Sequence, residues 1–204
     1  MFIGKYNKSV ILTYVGVAVS AIGMYFAIKG AVKYAVSCLI IAGICDLFDG
    51  KIARMCNRTE EEKRFGVQID SLADIFNFIA FPVVIFINIG LNSVIDNCIC
   101  IFYILAGIIR LAHFNMNMEK IEDTDVPIRF FTGLPVTYSA LIFGIGFMSS
   151  FFLKESYFMI LYRLLIIGTG IAFILDIKIP KPRGYAYIFF SLLAVLSLLF
   201  LCIV

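Results

Sequence analysis

The chain has 204 residues, 62% of them hydrophobic and only 15% charged, with a mean hydropathy of +1.00. A soluble domain of this size keeps far more charge on its surface, and a formal net charge of +3 is too small and too dispersed for a nucleic-acid binder. A lipid-facing exterior fits such a composition, provided that the backbone is paired within helices or a closed barrel.

In chain order, apolar runs cover residues 10–28, 34–53, 67–90, 94–112, 134–153, 157–175 and 185–203. They are continuous rather than alternating and about twenty residues long, which predicts bilayer-spanning helices and not barrel strands. Lys5 and Lys8 precede the first run as in a signal peptide, but the run is longer than a usual signal core and further spans follow. An uncleaved first helix is expected. With the N-terminus in the cytoplasm, Lys5, Lys8, Lys51, Arg54, Arg58, Lys63, Arg64, Arg110, Lys120, Arg129, Lys178, Lys181 and Arg183 fall on that side or at its helix ends. Only Lys29, Lys33 and Lys154 fall outside, and Arg163 sits within a span. This is the asymmetry that the positive-inside rule asks for.

The longest polar segments, 55–65, 115–129 and 176–184, all map to the cytoplasmic side, so chemistry is expected there. No linker and no internal repeat divides the chain, which reads as a single transmembrane domain over 1–204. Six cysteines show no metal-ligand spacing and read as small apolar residues.

The second span ends with Asp46, Asp49, Gly50, Ala53 and Arg54, and the third begins with Gly66, Asp70 and Asp74. Residues three, four and seven apart share one helix face, so each set forms a stripe. The two spans are antiparallel neighbours, and their stripes can face each other at similar depth. Carboxylates at the membrane edge are costly and mark function by default. Four together repel unless cations neutralise them. All-oxygen ligands select hard ions, Mg²⁺ or Mn²⁺ before Ca²⁺. The competing reading is a set of structural salt bridges with Lys51, Arg54 and other basic residues. Against it, Gly50, Ala53 and Gly66 interleave with the acids and let a bulky polar ligand approach, and Arg54 is placed to grip a phosphate.

Written out, the residues are Asp-x2-Asp-Gly-x2-Ala-Arg-x11-Gly-x3-Asp-x3-Asp. This resembles the signature of the CDP-alcohol phosphotransferase family, integral membrane enzymes that move a phosphoryl-linked group from a CDP-alcohol to a second alcohol. The spacer before Gly66 is longer than is usual there, and Lys63 stands where a Ser or Thr is common. The resemblance implies a two-metal site. Asp46 and Asp70 would ligate both ions, Asp49 would complete one and Asp74 the other, with Asp74 also the general base. Gly50 and Gly66 would leave room for the cytidine diphosphate, with Thr13 and Ala53 beside the same donor, and Arg54 would bind phosphate. It further implies an all-α fold with a six-helix transmembrane core, here residues 10–182. The span 185–203 is an addition with no assigned role, and homodimers are usual in the family.

Outside the signature the chain is similar to the phosphatidylserine synthase branch. Asp70-Ser71-Leu72-Ala73-Asp74, Arg110-Leu111-Ala112-His113-Phe114-Asn115 and Phe131-Thr132-Gly133-Leu134-Pro135-Val136-Thr137 match its secondary motifs in order. It departs at Phe78-Ile79, where the branch has Phe-Gly, and at Tyr14, Val15 and Gly16, where the family often has an Asn after the Thr. The resemblance implies transfer of a phosphatidyl group from CDP-diacylglycerol to L-serine, releasing CMP. The expected location is the plasma membrane, with the site facing the cytoplasm as the distribution of basic residues directs. Arg110 is the candidate for the serine carboxylate, against helix capping or a lipid phosphate. Asn115 is the candidate for the serine ammonium, against helix termination, and His113 is expected at the interface. The rivals are the same chemistry on glycerol 3-phosphate or inositol phosphate, a cation transporter using the four aspartates, and an inactive scaffold.

Overall fold

A computed structural model describes residue 4 and residues 7–122, 130–180 and 185–203. Lys5, Arg129, Lys181, Arg183 and the expected end of the core at Pro182 lie outside the described residues. Helix α1 (Ile11–Ile28) follows a 3-10 turn, Lys8–Val10, started by the Asn7 side chain accepting from the Ser9 amide. Its buried stripe is Thr13, Gly16, Ser20, Gly23 and Ala27. Small residues at this spacing let helices approach closely in lipid. A methyl group at Gly23 would collide with the Phe81 ring and Cys38. Gly30, at φ +75°, turns the chain into α2 (Val32–Met55).

Helix α3 (Glu60–Asp74) begins seven residues before the apolar run that predicts it. Thr59 and Glu62 form a reciprocal cap, the hydroxyl accepting from the Glu62 amide at 3.2 Å and the carboxylate from the Thr59 amide at 2.8 Å. Glu60, Glu61 and Glu62 complement the helix dipole. The long spacer is thus partly an added helical turn, not slack loop.

After Asp74 the rod widens into a π-helical stretch, Ile75–Ala80, then continues as α4 (Phe81–Asn88). Pro82 has no N–H for the carbonyl of Phe78, four residues back. That carbonyl instead accepts the hydroxyls of Tyr103 and Ser139. Widened turns of this kind let a helix absorb a lost bond.

Helix α5 (Val94–Glu122) runs well past its apolar stretch. The strand β1 (Phe130–Thr132) pairs antiparallel with β2 (Lys178–Pro180), a ribbon not predicted from hydropathy. Helix α6 (Tyr138–Met148) starts later than the run at 134, because Gly133 at φ +74° and Pro135 hold the chain out of helix. Helices α7 (Glu155–Ile174) and α8 (Tyr185–Ile203) complete the described chain.

Five of the described helices are long and apolar enough to cross a membrane, namely Lys8–Ile28, Glu60–Asn88, Val94–Met116, Glu155–Ile174 and Tyr185–Ile203. Tyr138–Phe151 is apolar but shorter. Helix α2, at 24 residues, has the length; the charges in its last three turns set it apart. The expectation of an all-helical, multi-pass membrane protein holds. Aromatic rings bind α4 to α7 below the acid stripes, with Phe86 edge-on to Phe143 at 4.7 Å, to Tyr103 at 5.7 Å and to Tyr162 at 5.8 Å. Contacts of this geometry add to what burial alone contributes. They fix the helices on which the site stands.

Candidate active site

The stripes of α2 and α3 meet. Carboxylate oxygens of Asp46, Asp49 and Asp70 lie within 4.8 Å of one another, and the Asp74 carboxyl is in hydrogen-bond contact with Asp46. Two hydroxyls orient the group. Thr13 of α1 donates to Oδ2 of Asp49 at 3.0 Å, and Thr137, just before α6, donates to Oδ2 of Asp46 at 2.7 Å. Asp49 is 7% exposed.

Among the described residues no lysine or arginine pairs with any of the four; the ion pairs join Lys63 to Glu60 and Arg163 to Asp96. The salt-bridge reading therefore fails for Lys51 and Arg54, which line the cavity beside the acids without pairing with them. Four like charges shielded from water attract a cation strongly. The donor set tests well for a hard divalent ion. It is all oxygen, it converges, and each threonine occupies only one oxygen of the aspartate that it holds. Asp46, Asp49 and Asp70 form a group able to hold a metal.

The acids open onto a cavity of about 270 Å³ whose wall also includes Gly50, Arg54, Arg110 and Thr137. A methyl group at Gly50 would meet nothing within 4 Å, so the backbone there is open to a ligand. Gly66 is one turn before Asp70 but does not line the cavity; its open side faces Val10 and the Arg58 guanidinium. Ala53 is half-buried and also outside the wall. Thr13 reaches the site through Asp49 and does not line the cavity itself.

Arg110 is 5% exposed, and its Nε donates to the Leu134 carbonyl at 3.1 Å while its guanidinium lies 5.3 Å from the Phe114 ring centre. Because α5 continues to Glu122, Arg110 does not cap a helix end. It lines the same cavity as Asp74. Asn115 is placed differently from the expectation. Its side-chain oxygen accepts the Ser71 hydroxyl at 2.9 Å, tying α5 to α3, and it is not part of the cavity wall. His113 is exposed.

Sequence reasoning gave no role to Thr137 or Ser71, although both lie within motifs that it singled out. The signal for Thr137 was a hydroxyl two residues after Pro135, at the end of the Phe131 to Thr137 motif.

Comparison with known proteins gives a consistent result. The family described as CDP-alcohol phosphatidyltransferase matches residues 6–172. The chain is 35% identical over 112 residues to the CDP-diacylglycerol–serine O-phosphatidyltransferase of Saccharomyces cerevisiae, covering 53% of this chain and 40% of that protein. It is 27% identical over 203 residues to the enzyme of the same name from Mycobacterium leprae, covering 91% and 64%. It is 26% identical over 164 residues to the archaetidylserine synthase of Methanothermobacter thermautotrophicus, covering 80% and 65%. The matches thus span less than two thirds of the length of each of these relatives.

Proposed function

The chain belongs to the CDP-alcohol phosphatidyltransferase family, and on that premise we propose that it transfers the phosphatidyl group of CDP-diacylglycerol to the hydroxyl of L-serine, releasing CMP. One observation carries the reading. Four convergent aspartates, with no ion-paired partner among the described residues, stand in one cavity with Arg54 and Arg110. The names of the relatives, which include serine as acceptor, support the choice of alcohol.

Asp46, Asp49, Asp70 and Asp74 would hold Mg²⁺ or Mn²⁺. Bound there, two such ions would screen the diphosphate and stabilise the leaving phosphate. Arg54 grips a phosphate of the cytidine diphosphate, which lies over the open backbone of Gly50. Asp74 accepts the proton of the serine hydroxyl as its oxygen attacks the phosphorus that bears diacylglycerol. The bond from that phosphorus to the CMP oxygen breaks. Arg110, held at Leu134, binds the serine carboxylate with the guanidinium nitrogens that Nε leaves free. Asn115 leaves the acceptor site in this reading, because Ser71 engages it.

The whole chain acts as one membrane domain, a core over 10–182 with the span 185–203 added. It works in the plasma membrane with the cavity facing the cytoplasm, as a pair of identical chains. Glycerol 3-phosphate or inositol phosphate would call for further cations in the wall, where Lys51, Arg54 and Arg110 are the basic residues among those described. Purified protein given CDP-diacylglycerol with each alcohol in turn should release CMP with L-serine and not with the others. Release with glycerol 3-phosphate but not serine would overturn the assignment.

A further inference from the structure

The cavity has a second end that the phosphoryl chemistry does not use. Away from the acids its wall is apolar, formed by Ile40 of α2, Tyr138 and Leu141 of α6, and Tyr187, Phe190 and Ala194 of α8. Helix α8 lies beyond residue 172, where the family match ends, so the match does not account for the part of this wall that α8 supplies. One face of α8 turns to the protein. Tyr187, Phe190, Ala194, Ser197 and Leu201, spaced three and four apart, are buried or half-buried, while Ile188, Leu192 and Leu199 on the other face are exposed.

The register of α8 against the site is fixed. Phe190 packs edge-on against Tyr138 at 5.0 Å, and Tyr138 follows Thr137, which donates to Asp46. Ala194 is four residues further along α8, about 6 Å deeper at the usual helical rise. Ile40 precedes Asp46 by six residues, about 9 Å in the same sense along α2. The apolar end therefore leads from the acids into the hydrocarbon depth of the helices. A ligand that is polar throughout gains nothing there, whereas each methylene taken from water is stabilised.

We propose that α8 is one wall of an acyl-chain subsite, in which the first methylenes of a lipid-linked donor lie against Phe190 and Ala194. Ala194, 4% exposed, sets the depth to which the chain runs. This rests on the lipid-donor reading above, and adds that the last span selects the donor by its chain.

The test compares long-chain and short-chain CDP-diacylglycerol, at equal surface fraction in mixed micelles, by CMP release with serine. Ala194→Phe should lower the ratio of kcat/KM for the long-chain donor to that for the short-chain donor by about tenfold, the scale of a misfit in an apolar pocket. Ala194→Leu should fall between it and the wild type. Leu192→Phe, on the lipid-facing side of α8, should keep the wild-type ratio. An unchanged ratio in both Ala194 variants overturns the subsite while the phosphatidyltransfer reading stands. Wild-type protein that releases no CMP from either donor overturns both.

Discussion

Two groups of acid within the helices of this protein are treated in opposite ways. At the start of α5, Asp96 is 2% exposed and is fully partnered. Arg163 donates to it through Nε at 2.6 Å and through a terminal nitrogen at 3.1 Å, and the Ser93 amide and hydroxyl complete the cap. At the other end of the helices, Asp46, Asp49, Asp70 and Asp74 converge and receive neutral hydroxyls from Thr13 and Thr137, with no ion pair among the described residues. The fold thus supplies its own counter-charge where the acid is structural. Where chemistry is proposed, it leaves the counter-charge to be brought in by metal ions.

The sharpest way to break this contrast is at Asp74. Asp74→Asn should reduce CMP release by roughly 10²- to 10⁴-fold, the range for losing a general base, while nucleotide binding survives. Near-normal turnover in that variant would remove Asp74 from the chemistry. Next in size is the structural pair. Arg163→Ala should cost about 3 kcal/mol of stability, at the low end for stranding a buried acid because Arg163 itself is partly exposed, with the metal requirement unchanged. A shift in metal requirement would merge the two regions. Thr137→Val should leave the fold intact and raise the metal concentration needed for half-maximal activity by about tenfold, as removal of an outer hydrogen bond to a ligand does. An unaltered metal titration would make Thr137 mere packing. Of the same size is Arg110→Ala, which should raise the KM for serine by about tenfold through one lost charge-assisted contact, with KM for the donor little changed. An equal rise in both would place Arg110 elsewhere.

How far the sequence foretells these two regions differs with the range of the interactions. The acid stripes were legible because spacings of three and four residues on each of two adjoining helices decide which side chains share a face. The early start of α3 was also written locally, in Thr59 and Glu62, but hydropathy is blind to a polar cap. The partner of Asp96 was not legible, since Arg163 is 67 residues away and belongs to a different helix. Thr137 meets Asp46 across 91 residues for the same reason. The ribbon of Phe130–Thr132 and Lys178–Pro180 is too short to carry a period. The role of α8 in the cavity depends on its register against α6, which its uniformly apolar sequence does not encode.

The most direct test of the central claim is a divalent-metal titration of the purified protein, stripped with chelator, with CDP-diacylglycerol and serine present. CMP release should be absent without metal and return on adding Mn²⁺ or Mg²⁺, and Asp46→Asn and Asp70→Asn should abolish the return. Release that persists undiminished in chelator would contradict the account.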